Sequence, residues 1–254
     1  MDNPIEIFFH IGLGKTGTTY LQYKFFPRLK GIHYIRRTRL PRAKRIINKR
    51  KNTRYLISRE HDRNLYEGAD YIARDFPQTK TILVLRRHDK WIASQYRRFT
   101  KNGVGLTFKE FIDVENNRGY WDKEVLNFYE RIEYLEKKFG SKPLVLFHEE
   151  LKTHPFNFFN RIARFTGSQY DREKISLSSK HASYHENQLK AVRKIARKTF
   201  VNTHGNPNYY ENGFQRRFRK VICHLVMYFH WLVPKGEEKN RPLIDPLELE
   251  HVRQ

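Results

Sequence analysis

An apolar run from Ile5 to Ile11 feeds directly into Gly12-Leu13-Gly14-Lys15-Thr16-Gly17-Thr18-Thr19 and then into a helical pattern. Glycines let successive backbone N–H groups converge on an anion, a helix start presents the positive end of its dipole, and Lys15 adds a full charge. This order of strand, turn and helix predicts a cradle for a phosphorylated ligand. The ATP-type loop reads Gly-x-x-x-x-Gly-Lys-Ser/Thr, and aligning its end on Gly14-Lys15-Thr16 puts Phe9 where the first glycine belongs. A nucleoside triphosphate is therefore the poorer fit.

A second pattern lies at 81–103. The β-branched, apolar segment Thr81 to Leu85 ends in Arg86 and continues as a helical pattern, with Asp89 as its N-cap and Gly103 as its stop. The arginine fork takes two phosphate oxygens at once, and Ser94, eight residues on, can reach the same anion from the helix.

With both motifs in that order, the chain resembles the sulfotransferases that use 3′-phosphoadenosine 5′-phosphosulfate (PAPS). Lys15-Thr16-Gly17-Thr18-Thr19 is similar to the family's 5′-phosphosulfate loop, and Arg86 with Ser94 matches the spacing of its 3′-phosphate pair. The resemblance implies that Gly14, Lys15, Thr16, Gly17, Thr18 and Thr19 hold the phosphosulfate end. It departs from the family at Gly14, where many members carry proline. Glu149-Glu150-Leu151 after the strand Leu144 to His148, and a helix from Pro155 to Phe165 closed by Gly167, look like the family's scaffold. Lys180, in Ser178-Ser179-Lys180-His181, falls where members close a basic loop over the adenosine 3′-phosphate. The likeness spans about residues 5 to 200. It implies PAPS as donor, adenosine 3′,5′-bisphosphate as product, and no required metal.

Sulfuryl transfer needs a stabilised leaving oxygen and a base for the acceptor hydroxyl. Lys15 is placed for the first role, an electrostatic one exerted mainly in the transition state. For the base, the third strand ends in Ser58-Arg59-Glu60-His61-Asp62. Cytosolic members of the family place a histidine near here, while carbohydrate-type members often use a glutamate located elsewhere. Glu60 and His61 both remain candidates, with Glu60 ahead because Lys-Thr-Gly-Thr-Thr is closer to the carbohydrate group. Arg59 is available for a sulfonate or an acidic acceptor. His181 and His185 have a zinc-like spacing, but no Cys, Asp or third His joins them, so no metal site is expected. His10 is expected to be a strand-end residue satisfied by backbone.

These residues need elements that bring them together. Strand patterns at Ile5–Ile11, Ile32–Ile35, Tyr55–Ser58, Ile82–Arg86 and Leu144–Phe147 alternate with helical or basic segments. This predicts an α/β fold, a P-loop-type three-layer sandwich with a central, mainly five-stranded parallel sheet flanked by helices. Right-handed crossovers then bring Gly12 to Gly17, Arg59-Glu60 and Arg86 to one sheet edge. Pro41 is expected to open a helix through Ile47, and helices between Thr107 and Gly140 to pack through Phe108, Phe111, Ile112, Val125, Leu126, Tyr129, Ile132 and Leu135. Residues 1–201 read as the catalytic domain and 202–254 as a C-terminal loop and helical extension. In the extension, Arg216-Arg217-Phe218-Arg219-Lys220 leads into an apolar run from Val221 to Val233, too short to span a bilayer. It is expected to pack on the core or a second subunit, or to lie on a membrane surface.

The bulk numbers narrow the partners. The 254 residues, 39% hydrophobic, suffice for one large core. Net charge is +23, from 50 Lys and Arg against 27 Asp and Glu, and ten of the nineteen residues from Arg36 to Arg54 are basic with none acidic. That block serves as a solvated face, a dock for an acidic glycan, or a contact for anionic lipid or nucleic acid. No nucleic-acid reading motif accompanies it, so no specific nucleic acid is expected. The lone Cys223 excludes an internal disulfide and fits a reducing compartment. With no signal peptide or spanning segment read, a bacterial cytoplasmic location is expected, with membrane association left open. The expected function is transfer of a sulfuryl group from PAPS to a hydroxyl of a carbohydrate or glycolipid, acidic acceptors included. The alternatives are an ATP-dependent P-loop kinase and a non-enzymatic polyanion-binding protein.

Overall fold

The computed structural model describes residues 4–178, 184–200, 213–234 and 241–253. Along the chain run β1 (Glu6–Gly12), α1 (Thr18–Tyr20), β2 (His33–Ile35), α2 (Ala43–Asn48), β3 (Arg54–Glu60), α3 (Leu65–Ala73) and β4 (Lys80–Leu85). Then come α4 (His88–Lys101), α5 (Phe108–Phe111), α6 (Phe128–Phe139), β5 (Leu144–Phe147), α7 (His148–Thr153) and α8 (Pro155–Thr166). The last elements are α9 (Glu186–Thr199), α10 (Gly213–Tyr228) and α11 (Pro246–Arg253). The chain divides into two compact units, residues 1–87 with 127–180, and 88–126 with 181–254.

The first unit holds the whole sheet, in the order β2-β3-β1-β4-β5, with every pairing parallel. Parallel strands covered on both faces read as unbroken apolar runs, as Phe8–Phe9 and Ile82–Leu85 do. One face of the sheet buries Phe8, Leu56, Val84 and Leu146 against Leu21, Phe25 and Phe26 after the loop and Phe158, Phe159 and Ile162 of α8. On the other, α3 packs on β1 and α6 on β4, so the expected layered α/β architecture is present. Gly167, at φ 60, ends α8 where the sequence predicts a stop.

Three local expectations are corrected. Pro41 does not open a helix, because the chain already turns through a 3₁₀ segment, Arg37–Arg42, before α2 begins at Ala43. Tyr129 is 68% exposed and does not pack. Asp89 lies inside the first turn of α4, where its carboxylate accepts the Lys90 N–H at 2.7 Å, and is not the N-cap. Gly103 does close the segment after α4, at φ 88.

The second unit is helical. α4 packs with α9 and α11, and α9 with α10. Its core holds Trp91 and Trp121, with ring centroids 5.6 Å apart, together with Tyr96, Phe108 and Phe111. Arg193, almost fully buried, donates to the Tyr96 hydroxyl and to the Leu243 carbonyl, both at 3.2 Å. α10 starts at Gly213, earlier than its apolar run suggests.

Candidate active site

The turn after β1 is braced from within. Thr16 and Thr18 are buried, and both hydroxyls donate to the Leu13 carbonyl, at 2.6 and 2.9 Å. Their side chains therefore set the shape of the turn, while Lys15 and Thr19 are exposed. Lys15 adopts φ 68, a left-handed conformation that costs a side-chain-bearing residue about 1 kcal/mol. Arg86 Nη1 donates to the Lys15 carbonyl at 3.0 Å and holds the peptide in that setting. Gly17 has φ 89, and a Cβ there would come within 2.7 Å of Leu151 and 3.4 Å of His148. Only glycine lets α7 approach this closely.

The pairing of β1 with β3 sets Gly12 opposite Glu60, and this register delivers two carboxylates to the turn. The Gly14 N–H donates to Asp62 Oδ1 at 2.6 Å. A Cβ on Gly14 would lie 2.6 Å from Glu60 Oε1 and 2.9 Å from each Asp62 oxygen. The Gly14 amide is thus held by a carboxylate, and it is the exposed Lys15 and the Arg86 guanidinium at the turn that fit the charge of a phosphosulfate ligand.

Neighbouring positions at the end of β3 face different surroundings. His61 is 7% exposed, its ring lies edge-on to Phe9 at 6.3 Å, and Gly68 of α3 makes room for it. Burial, with the charge of Arg59 second, pushes its pKa below the usual imidazole value. Its backbone N–H donates to the Gly12 carbonyl at 2.8 Å, so His61 ties strand to strand. Glu60, half-buried, lies against the loop. His10 is fully buried, and burial pushes it down to about 3. Its Nδ1 lies 2.8 Å from Ser58 Oγ, which also accepts from Gln22 Nε2 at 3.0 Å, so its partner is a side chain and not the backbone.

Three residues beyond those singled out in the sequence stand here. Asp62 caps the Gly14 amide, and its charge partly offsets the burial that pushes the guanidinium of Arg131, 4% exposed on α6, below its usual pKa. His148 opens α7 beside Gly17, where burial and then the charges of Arg86 and Lys152 press it down to about 4. The signal for His148 is its place at the C-terminal end of a parallel strand, the edge where α/β sites form. From that same edge, after β2, the basic segment begins: Arg36, Arg37, Arg39, Arg42, Lys44 and Arg45 are all exposed, with Lys44 paired to Asp75 at 2.5 Å. Of the remaining predicted residues, Arg59 is exposed and Ser94 stands half-buried on α4, within the second unit. Lys180 and His181 lie outside the described residues.

Residues 69–222, more than half of the chain, match the family model described as a sulfotransferase domain. Arg86 and Ser94 fall inside that segment, and the loop and Glu60 precede it. No curated protein matches the chain. Among solved structures, a sulfotransferase from Alicyclobacillus acidocaldarius aligns at 16% identity over 78% of this chain and 96% of its own, with a TM-score of 0.52, a likeness of fold. A mouse sulfotransferase complexed with PAP aligns at 16% identity over 85% of this chain and 74% of its own, with a TM-score of 0.43. On the strength of the family match, the parallel α/β fold enclosing the loop is that of an enzyme of sulfuryl transfer, and the chain belongs to the sulfotransferase family.

Proposed function

We propose that the enzyme uses PAPS as its donor and a hydroxyl of a carbohydrate or glycolipid as its acceptor, with Glu60 as the general base. The observation that carries this reading is the convergence on one turn of the exposed residue Lys15, the Arg86 guanidinium on its carbonyl and the Glu60 carboxylate. PAPS supplies an activated sulfuryl group whose departure leaves adenosine 3′,5′-bisphosphate. Lys15 lends positive charge to the leaving oxygen as its bond to sulfur lengthens. Glu60 accepts the proton of the acceptor hydroxyl, a role for which a half-buried carboxylate beside the loop is better suited than a histidine enclosed between β3 and α3. The loop from Gly14 to Thr19 holds the 5′ end, and the assignment of Arg86, Ser94 and Lys180 to the 3′-phosphate rests on their order and spacing in the sequence. The exposed cations after β2 favour an acidic acceptor. We read residues 1–201 as the catalytic part and 202–254 as an extension, in a reducing, bacterial cytoplasmic setting that the single cysteine, Cys223, fits.

Calorimetric titration tests the donor. Adenosine 3′,5′-bisphosphate is expected to bind without metal and ahead of ATP with magnesium; preference for ATP with magnesium, or binding of neither, would overturn the reading. Arg86→Ala is expected to weaken the bisphosphate more than AMP. Equal losses would mean that Arg86 serves only the 5′ loop through the Lys15 carbonyl. Turnover is then assayed with neutral and uronic-acid oligosaccharides, and sulfation of neither would remove the carbohydrate acceptor.

A further inference from the structure

α10 has two apolar faces where a helix packed on a core needs one. Cys223 and Met227 are buried against Val192 of α9. On the opposite side Phe214, Phe218, Val221, Leu225 and Tyr228 form a stripe at steps of four and three residues, each more than half exposed, from 53% at Leu225 to 77% at Phe214. The 3₁₀ turn that follows carries Trp231, 60% exposed. Arg217 borders the stripe, Lys220 and Arg216 stand farther round the helix, all three are exposed, and no Asp or Glu occurs anywhere in 213–234.

We propose that this face of α10 docks on an anionic lipid bilayer, lying in the plane of the interface. Among the described residues no helix is long and apolar enough to cross a membrane, and a narrow apolar stripe with a cationic flank matches the cross-section of a headgroup layer over acyl chains. Charge selects the occupant: a second copy would bring cations onto cations with no carboxylate on either helix to offset them, whereas anionic headgroups complement the flank. Tyr228 and Trp231, their ring centroids 6.2 Å apart, end the stripe with the amphipathic side chains that favour the boundary between lipid and water.

The molecule contains its own reporter. Trp91 and Trp121 are fully buried, so a change in tryptophan emission on adding lipid reports Trp231. With vesicles of phosphatidylcholine containing about one third phosphatidylglycerol, the emission is expected to shift to the blue, and the shift is expected to be lost in Trp231→Phe. Each cation near an anionic surface contributes about fivefold to partitioning, so vesicles of phosphatidylcholine alone are expected to bind at least about tenfold more weakly. Because a net charge of +23 can hold anionic vesicles by other surfaces, the paired substitution Phe218→Glu with Leu225→Glu decides the matter. Both side chains are exposed, so the fold is kept, which circular dichroism checks, and the shift is expected to vanish. Co-sedimentation with no emission shift, or an equal shift in the paired variant, would overturn the proposal. So would a lipid-free dimer that shifts Trp231 and is broken by the same substitutions.

Discussion

A base for an acceptor hydroxyl must be deprotonated at neutral pH and reachable from outside, and the two candidates at the end of β3 divide on the second count. Glu60 is half-buried beside Gly14, while His61 is enclosed by Phe9 and α3 and held below its usual pKa by burial. Glu60→Gln is therefore expected to lower kcat by about 10²- to 10⁴-fold with bisphosphate affinity little changed, as read by single-turnover assay and calorimetry. His61→Gln is expected to reduce thermal stability first; the reverse pattern would return the base to His61. Gly14 gives a sharper test, because the atoms that a Cβ there would strike are mobile carboxylate oxygens and not backbone. Gly14→Ala should move Glu60 and Asp62 aside, lowering kcat at least about tenfold while the unfolding free energy changes by less than about 1 kcal/mol. A variant with unchanged kcat would show that neither carboxylate takes part in turnover. The sequence announces the loop, since glycine, lysine and threonine after an apolar strand have few other uses. It could not separate Glu60 from His61, because that choice depends on Gly68 of α3 leaving space for an imidazole on one side of β3.

The strands are legible for a similar reason. A parallel strand buried on both faces must be apolar throughout, and β1, β3, β4 and β5 lie within one or two residues of where composition puts them. Helix starts are less legible where the chain is basic and turn chemistry gives no cue, as at Pro41 and at Gly213. Between β1 and β3 the sheet buries a polar group, His10, against the Ser58 hydroxyl, which in turn accepts from Gln22. Held down to about 3, His10 stays neutral when folded, while in the unfolded chain it titrates near 6.5. Below pH 6.5 the unfolded state therefore binds a proton that the folded state refuses until about pH 3. Stability is full above that window and is lost as pH falls through it, by up to about 1.4 kcal/mol per pH unit from this group. His61 and His148 are displaced in the same direction. Urea midpoints are expected to fall between pH 7.5 and pH 5.5, and His10→Asn to be less stable but with a shallower slope. An unchanged slope in that variant would show that His10 does not set the pH response.

A chain with net charge +23 repels itself and attracts its anionic ligands through the same field, so salt should affect folding and catalysis with opposite signs. Glu6 pairs with Arg54 and Lys80, and Asp75 with Lys44, yet Arg36, Arg37, Arg39, Arg42 and Arg45 still stand exposed in one short segment. Raising NaCl from about 0.05 to about 0.5 M shortens the Debye length from about 14 to about 4 Å, less than the reach of that segment. The unfolding midpoint is then expected to rise as the repulsion is screened, while kcat/KM for an acidic acceptor falls at least about tenfold and kcat at saturation changes little. Replacing Arg36, Arg37 and Arg39 by Gln, which leaves the loop and Glu60 untouched, should remove much of the salt dependence of kcat/KM without altering affinity for the bisphosphate. If the variant keeps the full salt dependence, the steering field comes from the rest of the surface, and the segment after β2 is a solvated face with no part in choosing the acceptor.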